Sequence, residues 1–264
     1  MDLQLKSKTA FISGSTQGIG FAIAKALLAE GATVIINGRT QQKIDDALDK
    51  LKTAFPAGRV TGIAADFTNA HEVNNLLSQL PQIDILINNV GVFELKPFAE
   101  ITDDDWFRFF EVNVLSSIRL SRALLPKMLE SNWGRIMFIS SESGINIPEN
   151  MIHYGTTKTA MLSVSNGLAK LTKGTGVTVN TILGGPTYSD GVSGTVSQIA
   201  EAQNMDVDVL KQHIVATVNP TSLLQRFIEP SEIANLAVYL SSPLSGATNG
   251  SALRADGGVL TGIV

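Results

Sequence analysis

Two side chains suited to acid–base chemistry, Tyr154 and Lys158, lie four residues apart in the segment YGTTK. On a helix this separation places both side chains on one face. A phenol has a pKa of about 10 and transfers protons poorly at neutral pH, whereas a nearby ammonium group stabilises the phenolate and lowers that pKa. We therefore expect Tyr154 to take part in proton transfer with Lys158 beside it. Such a pair also occurs on ordinary helices, so its surroundings must support the interpretation.

A second segment whose residues are suited to a functional role is SGSTQGIG at residues 13–20, which follows a short apolar run. Gly14, Gly18 and Gly20 allow a tight turn from strand to helix, and they let backbone N–H groups approach a pyrophosphate at the positive end of that helix. A glycine triplet alone is equally consistent with a turn that binds nothing. Its position after the first predicted strand favours a phosphate-binding site for a dinucleotide.

The end of the second predicted strand indicates which dinucleotide is preferred. An acidic side chain there would hydrogen-bond the 2′-hydroxyl of the adenosine ribose in NAD, but residues 37–40 are Asn-Gly-Arg-Thr. Arg39 can instead form charge-assisted hydrogen bonds to a 2′-phosphate. We therefore expect NADP(H) to be preferred, with NAD(H) as the alternative, and with a solvated turn residue as the alternative role of Arg39.

The elements that must position these residues alternate between strands and helices. Short apolar runs and longer amphipathic stretches follow one another at residues 9–13, 18–30, 33–37, 41–52 and 60–64. Nearly continuous apolar runs follow at residues 83–87, 135–140 and 177–183, and helical spacing covers residues 102–130 and 151–173. Buried apolar strands of this kind are typical of a parallel sheet with helices on both faces. The sequence predicts an α/β fold: a doubly wound Rossmann-type parallel sheet of about seven strands.

The last third of the chain predicts a cover over the site. Residues 186–220 contain glycine, serine and threonine around one helical patch at residues 196–211, and we interpret them as a substrate lid. The pair Gly184-Gly185 before Pro186 is expected to make the entrance to this lid less rigid. A helix over residues 230–240 and a last strand over 251–255 complete the pattern. With no repeat or linker, residues 1–264 are expected to form a single dinucleotide-binding and catalytic domain.

Composition narrows the function classes further. The 264 residues carry a formal net charge of -4, which gives no electrostatic reason to expect nucleic acid or an anionic membrane as a partner. There is no cysteine, so disulfides and thiolate metal sites are excluded, and no metal site is expected. No stretch reaches the roughly 18 apolar residues of a membrane span. These features are typical of a cytoplasmic enzyme.

Several further motifs occur in a recognisable order around these residues. They are SGSTQGIG at residues 13–20, Asp66, NNVG at 88–91, Asn113 in EVNVLSS, Ser141, YGTTK at 154–158 and DGG at 256–258. In their order and spacing they resemble the short-chain dehydrogenase/reductase family, in its compact single-domain branch, which includes 3-oxoacyl-acyl-carrier-protein reductases. The resemblance covers residues 5–258. The sequence departs from the family in having NNVG where NNAG is commoner and Gly-Gly-Pro where Pro-Gly is usual.

The resemblance implies hydride transfer between a nicotinamide and a ketone or secondary alcohol. Tyr154 would be the general acid in reduction, Ser141 would hydrogen-bond the substrate oxygen, and Lys158 would hold the nicotinamide ribose. Asn113 would help to hold a water that links the lysine to solvent. The implied cofactor contacts are Gly14, Thr16, Gln17, Gly18, Ile19, Gly20, Arg39, Asp66, Phe67, Asn88, Gly91, Tyr154, Lys158, Thr187 and Ser189.

The sequence leaves the substrate open. An apolar pocket is expected from Phe93, Ile145, Ile147, Met151, Tyr188 and Val192, with His153 either touching the substrate or facing solvent. A general ketone or secondary alcohol ranks first, with 3-oxoacyl thioesters, steroids and sugars as specific options. A non-catalytic dinucleotide-binding regulator and an epimerase or dehydratase remain alternatives. Relatives pair their long helices, so a homotetramer or dimer is expected, helped by the apolar end GGVLTGIV.

Overall fold

A seven-stranded parallel sheet forms the centre of the computed structural model, which describes residues 1–263, with Thr195 described by its backbone only. The strands are β1 (Thr9–Ile12), β2 (Thr33–Gly38), β3 (Val60–Ala64), β4 (Ile85–Asn88), β5 (Gly134–Ser141), β6 (Val177–Gly184) and β7 (Ala252–Ala255). They lie in the order β3-β2-β1-β4-β5-β6-β7, and every neighbouring pair is parallel. The fold class predicted from the sequence is confirmed.

Helices cover both faces of this sheet. They are α1 (Gly18–Ala29), α2 (Gln41–Ala54), α3 (Ala70–Gln79), α4 (Asp103–Phe109), α5 (Ser116–Glu130), α6 (Ile152–Leu171), α7 (Asp190–Ala202), α8 (Val207–Val218) and α9 (Pro230–Ser241). Because strand side chains alternate between faces, Ile12 packs in one core with α1, α2 and α9, whereas Phe11 packs in the other with α3, α5 and α6. The two cores hold the carboxyl ends of the strands in fixed positions.

The sheet changes its direction of winding between β1 and β4. The chain runs outward from β1 through β2 to β3, and then returns to place β4 on the other side of β1. In open α/β sheets, ligands bind in the crevice that this reversal leaves at the carboxyl ends of the strands. The segments that follow β1 and β4 are SGSTQGIG and NNVG, so the topology brings these two motifs together.

Two predicted helices differ from those observed. The helical stretch 102–130 is divided by a π-helical turn, Phe110–Leu115, between α4 and α5. The single patch expected at residues 196–211 is instead part of two helices, α7 and α8. Asn204 between them has φ +49°, a left-handed conformation that ends a helix, and the Asp206 side chain caps α8 by accepting backbone N–H groups.

The structure explains the Gly184-Gly185 pair by close packing and not by the flexibility expected from the sequence. A Cβ on Gly185 would lie 2.5 Å from the backbone oxygen of Asp256 and 2.7 Å from its Cα. Glycine is therefore required because β6 and the DGG segment pass each other closely at this point. The pair serves packing between two backbones.

Replacing Gly185 with Ala is expected to destabilise the protein by about 1–3 kcal/mol, since one of the two backbones must shift to admit the methyl group. The measurement is the free energy of unfolding from denaturant titration. Gly167→Ala is the matched control. A Cβ there meets no atom within 4 Å, and its position inside α6 predicts a gain of roughly 0.5–1 kcal/mol. Equal stability of the two variants would contradict the packing argument.

Within residues 1–263, none of the helices is both long and apolar enough to cross a membrane. Val264, the last residue of the predicted domain and of the apolar C-terminal segment, lies outside the described residues.

Candidate active site

A cleft of about 360 Å³ opens at the carboxyl ends of β1 to β4, where the winding of the sheet reverses. Its walls come from the glycine-rich turn, the end of β2, the segment after β3, the NNVG segment and the start of α7. The lining side chains and backbones include Thr16, Gln17, Arg39, Lys43, Asp66, Phe67, Asn89, Gly91, Phe93 and Ser189. The cleft thus runs from the glycine-rich turn to the segments after β3 and β4.

A larger depression of about 600 Å³ lies at the opposite edge of the sheet, where the amino ends of β1, β2 and β3 are. Lys6, Gly31, Phe55 and Arg59 line it. The amino ends of parallel strands are not where open α/β sheets bind ligands, and none of the predicted catalytic residues is there. The smaller cleft is the candidate site.

The glycine-rich turn forms the floor of this cleft. Gly14 and Gly18 both have φ +60°, a conformation that favours glycine. A Cβ on Gly20 would lie 2.5 Å from Asn89 Nδ2, so helix α1 can approach the NNVG segment only with glycine there. Asn89 Nδ2 donates to the carbonyl oxygen of Gly14 at 2.7 Å, and Asn37 Oδ1 accepts the Gly14 N–H at 3.0 Å. These bonds fix the turn before any ligand arrives.

One backbone N–H of this turn is already occupied by a carboxylate. Gly18 N–H donates to Asp190 Oδ2 at 2.6 Å, although the two residues are 172 positions apart in the chain. Asp190 is the first residue of α7, and Ser189 before it lines the cleft. The carboxylate of the first residue of α7 therefore lies where a helix N-terminus would receive a phosphate.

The second wall of the cleft carries positive charge. Arg39, directly after β2, is exposed and lines the cleft together with Lys43 in the first turn of α2. No side chain described in the structure forms an ion pair or hydrogen bond with the Arg39 guanidinium. A Cβ on Gly38 would lie 2.6 Å from Thr16 Cγ2, so glycine lets the end of β2 pass close to the glycine-rich turn. Arg39 and Lys43 can both reach an anionic group bound at this end.

The predicted catalytic side chains lie beyond the other end of the cleft. Ser141 ends β5, and Tyr154 and Lys158 project from α6. The Tyr154 ring meets Phe93 edge-on with ring centroids 6.5 Å apart, and Lys158 Nζ lies 5.6 Å from the Tyr154 ring centroid. A Cβ on Gly91 would lie only 3.5 Å from Lys158 Nζ, so the lysine reaches the cleft wall.

Burial governs the ionisation of these groups. Burial lowers the pKa of Lys158 to about 8, and the charge of Glu142 raises it in part. Burial also raises the pKa of Tyr154 well above its usual range, the charge of Glu142 adds to the rise, and a hydrogen bond with Ser141 offsets some of it. The structure does not support the expectation that Lys158 lowers the Tyr154 pKa. Lys158 Nζ donates to the carbonyl oxygen of Ile139 at 3.0 Å instead of approaching the phenol oxygen.

Asn113 lies in the π-helical turn and holds three elements together. Its Oδ1 accepts the Val92 N–H at 2.8 Å, and its Nδ2 donates to the carbonyl oxygen of Val92 at 3.0 Å and to Thr157 Oγ1 at 2.9 Å. The side chain thus links the segment after β4 to α6, one residue before Lys158. Isolated π-helical turns inside α-helices often occur at functional sites. The water-holding role of Asn113 stays a prediction.

The structure separates the predicted cofactor contacts into two groups. Those that line the cleft are Gly14, Thr16, Gln17, Gly18, Ile19, Arg39, Asp66, Phe67, Gly91 and Ser189. The predicted contacts that do not line it are Gly20, Asn88, Tyr154, Lys158 and Thr187. Asn88 is buried and donates to Ser121 Oγ at 3.2 Å, and Thr187 Oγ1 donates to the Gly185 carbonyl oxygen at 2.9 Å. Asn89, rather than Asn88, faces the cleft, because successive residues along a strand point in opposite directions.

Other expected substrate contacts also need correction. His153 neither faces solvent nor reaches the cleft, since it is fully buried with its ring 4.1 Å from that of Phe109, centroid to centroid. Phe93 and Ile147 are exposed near the cleft mouth, whereas Tyr188 and Val192 pack against the small core between α7 and α8. Four further residues of this region, Asn37, Lys43, Glu142 and Asp190, were not predicted from sequence patterns. Two of them could have been found from their positions in the chain. Glu142 directly follows Ser141, and Lys43 lies four residues after Arg39.

These features define a Rossmann-type nucleotide-binding protein with an acid–base site. They are the parallel sheet, the glycine-rich turn where its winding reverses, and the nearby Ser141, Tyr154 and Lys158 side chains. Comparison with known proteins makes this specific. The pattern of the family described as short chain dehydrogenase matches residues 8–200. The chain belongs to the short-chain dehydrogenase/reductase family, as its motifs predict, and is an oxidoreductase.

Three relatives show how far the similarity extends. The uncharacterized oxidoreductase YvaG of Bacillus subtilis is 45% identical over 263 residues, with 100% of both chains covered. D-beta-hydroxybutyrate dehydrogenase of Cupriavidus necator is 31% identical, with 96% of this chain and 98% of the relative covered. The crystal structure of L-sorbose reductase from Gluconobacter frateurii, complexed with NADPH and L-sorbose, matches with a TM-score of 0.93 at 29% identity over 100% of both chains.

Proposed function

We propose that this oxidoreductase reduces a ketone to a secondary alcohol, or the reverse, with hydride transfer to or from a nicotinamide. In reduction, Tyr154 gives a proton to the carbonyl oxygen as hydride reaches the carbonyl carbon, and Ser141 hydrogen-bonds that oxygen. Lys158 holds the nicotinamide ribose and supplies positive charge beside the phenol. The observation that carries the proposal is that these three side chains lie together just beyond one end of a cleft that the glycine-rich turn also lines.

We infer NADP(H) as the preferred cofactor, with NAD(H) as the alternative. The support is the exposed Arg39 guanidinium and the neighbouring Lys43 on the cleft wall, together with the lack of an acidic residue at positions 37–40. A glutamate or aspartate there would repel a 2′-phosphate, whereas two cations attract it. Asp66 and Phe67 line the same cleft and would hold the adenine ring. The L-sorbose reductase of similar fold was solved with NADPH.

Titration of the purified protein with NADPH and with NADH, followed by nicotinamide fluorescence, tests the cofactor. Tighter binding of NADPH supports the 2′-phosphate site at Arg39. Tighter binding of NADH would reverse the preference, and binding of neither would overturn the function. A panel of ketones with the bound dinucleotide then tests turnover.

Replacing Asp190 with Asn is expected to tighten NADPH binding by roughly three- to tenfold. The Asp190 carboxylate occupies the Gly18 N–H and places negative charge beside the pyrophosphate site, so a neutral side chain removes a competitor. Dissociation constants at low and high salt provide the measurement, and the gain should shrink as salt rises. Asp208→Asn on α8, which pairs with Lys211, is the matched control. Weaker binding by the Asp190 variant would show that its carboxylate organises the turn instead.

For the substrate, we propose a neutral ketone or its secondary alcohol, with sugar ketones tested first because of the fold similarity to L-sorbose reductase. Steroids and 3-oxoacyl thioesters complete the panel.

We further propose that residues 186–220 form a lid on a single catalytic domain. The start of α7 contributes Ser189 and Gly191 to the cleft, and α7 and α8 share a small core of Val196, Ala200 and Leu210, separate from the two large cores.

We also propose that the chain forms a homotetramer or dimer and acts in the cytoplasm. The exposed apolar side chains Phe107, Phe110 and Leu115 on the helices after β4 support pairing, because a single chain leaves them in water. The apolar segment before Val264 would add a second contact. Sedimentation or light scattering of the purified protein would give the state directly.

A further inference from the structure

A carboxyl group that the reaction described above does not use lies directly beside Ser141. Glu142 follows the last residue of β5 and begins a short 3₁₀ turn, Glu142–Gly144, which packs against α6 and β6. Its Oε2 accepts a hydrogen bond from Ser141 Oγ, and its Oε1 accepts one from Ser143 Oγ at 3.1 Å. The side chain is half-buried. Both oxygens are therefore tied to serines, one of which is the proposed substrate-binding hydroxyl.

This arrangement limits what Ser141 can do. A serine hydroxyl has one hydrogen to donate and two lone pairs to accept with. Ser141 Oγ already accepts the Ser143 N–H at 3.1 Å. When Glu142 is ionised, its carboxylate takes the only hydrogen of Ser141, and the Tyr154 phenol competes for the same hydrogen. A ketone oxygen, which can only accept, would then find no donor on Ser141.

Protonation of Glu142 reverses this hydrogen bond. A carboxylic acid donates its hydrogen to the second lone pair of Ser141 Oγ, and the serine hydrogen becomes free to point at the substrate. Every donor and acceptor of Ser141 is then used: it accepts from Ser143 and Glu142 and donates to the ketone. Loss of the negative charge also removes one of the causes that raise the Tyr154 pKa, which makes proton donation by Tyr154 easier.

We propose that Glu142 is a positioning residue that acts in its protonated form, donating to Ser141 so that the serine hydroxyl donates to the substrate oxygen during ketone reduction. The inference rests on the proposed function. In the step itself, hydride moves from the nicotinamide to the carbonyl carbon and the Tyr154 proton moves to the carbonyl oxygen, so that the ketone is reduced and the nicotinamide oxidised. Glu142 keeps its proton throughout.

The surroundings of Glu142 favour the protonated form. Burial raises the pKa of the Glu142 carboxyl above its usual range, although hydrogen bonds from Ser141 and Ser143 lower it in part. The titratable groups that interact with it by charge, among the described residues, are Tyr154 and Lys158 on α6. Strand β6, which also packs against the 3₁₀ turn, contains no titratable residue. Because the pKa is raised, the protonated form persists to higher pH than in an exposed glutamate.

Infrared difference spectroscopy tests the protonation state without any turnover. The carboxylic acid band that disappears in Glu142→Gln should titrate at higher pH than the carboxyl of a glutamate in a short unstructured peptide, which serves as the reference. Titration at the pH of the reference peptide would overturn the proposal. This readout remains decisive even if no ketone is reduced, which would count against the proposed function and not against the protonation of Glu142.

The pH dependence of ketone reduction tests the role. In the unaltered protein, kcat should fall as Glu142 ionises with rising pH, and fall again as Lys158 loses its proton at about pH 8. Glu142→Gln, whose amide N–H can still donate to Ser141, should keep kcat within about threefold and lose the first decline. Its second decline should move to lower pH, because the charge that raises the Lys158 pKa is gone. Glu142→Ala should lose roughly tenfold in kcat at low pH, where Glu142 of the unaltered protein is protonated, and should lack the first decline.

Two controls separate positioning from a general structural effect. Dinucleotide affinity should be unchanged in both Glu142 variants, since Glu142 does not line the cleft. In a Ser141→Ala background, Glu142→Gln should no longer change the first decline, because that decline arises through Ser141, whereas the shift of the second decline, which arises from charge on Lys158, should remain. Unchanged kcat and pH profile in Glu142→Ala, or an equal loss in Glu142→Gln and Glu142→Ala, would overturn the proposal.

Discussion

Replacing Tyr154 with Phe is expected to lower ketone turnover by roughly a hundred- to ten-thousandfold while leaving dinucleotide binding nearly unchanged. The substitution removes the proton that the proposed mechanism gives to the carbonyl oxygen as hydride arrives, and general acid catalysis accounts for an effect of this size. The ring remains, so the edge contact with Phe93 is preserved. Measurement of kcat and of the NADPH dissociation constant for the same variant separates the two effects.

Tyr239→Phe is the matched control, because Tyr239 lies on α9, is 40% exposed and is remote from the cleft lining. This variant should retain full activity. Turnover by Tyr154→Phe above about a tenth of that of the unaltered protein would assign proton transfer to another group.

Replacing Arg39 with Ala is expected to weaken NADPH binding by about ten- to a hundredfold and NADH binding by less than about threefold. The guanidinium would form charge-assisted hydrogen bonds to the 2′-phosphate, which only NADPH carries, and losing bonds of that kind has effects of this order. Because Arg39 is exposed, we expect the loss of NADPH affinity to be nearer tenfold than a hundredfold, and added salt should reduce it further. Fluorescence titration of both dinucleotides is the measurement.

Arg122→Ala, an exposed arginine on α5 outside the cleft lining, controls for the loss of one positive charge from the whole molecule. Lys43→Ala should give a smaller, additional loss, because its ammonium group lines the same wall. Equal weakening of NADPH and NADH by Arg39→Ala would exclude a specific role toward the 2′-phosphate.

Local patterns in the sequence were sufficient to predict the fold and much of the site. The alternation of apolar runs with amphipathic stretches predicted the doubly wound sheet. The glycine spacing of SGSTQGIG placed the turn that the structure forms with Gly14 and Gly18 at φ +60°. The four-residue separation of Tyr154 and Lys158 placed both on one side of α6.

What the sequence could not provide depends on distant contacts and on orientation. Asp190 reaches Gly18 across 172 residues, and no local pattern encodes that hydrogen bond. Asn88 and Asn89 are identical in type, and only the register of β4 decides which one faces the cleft. The pKa of Tyr154 was expected to fall beside Lys158 but rises, because the phenol is buried and the charge of Glu142 adds to the rise.

The most direct test of the account follows the hydride. Reduced dinucleotide carrying deuterium at C4 is incubated with the protein and a panel of ketones, starting with sugar ketones, and the products are examined by mass spectrometry. The account predicts deuterium on the carbinol carbon of the alcohol, in a product that Tyr154→Phe does not form. Dinucleotide that binds but keeps its deuterium with every ketone, or substrate that is epimerised or dehydrated without net transfer, would contradict it.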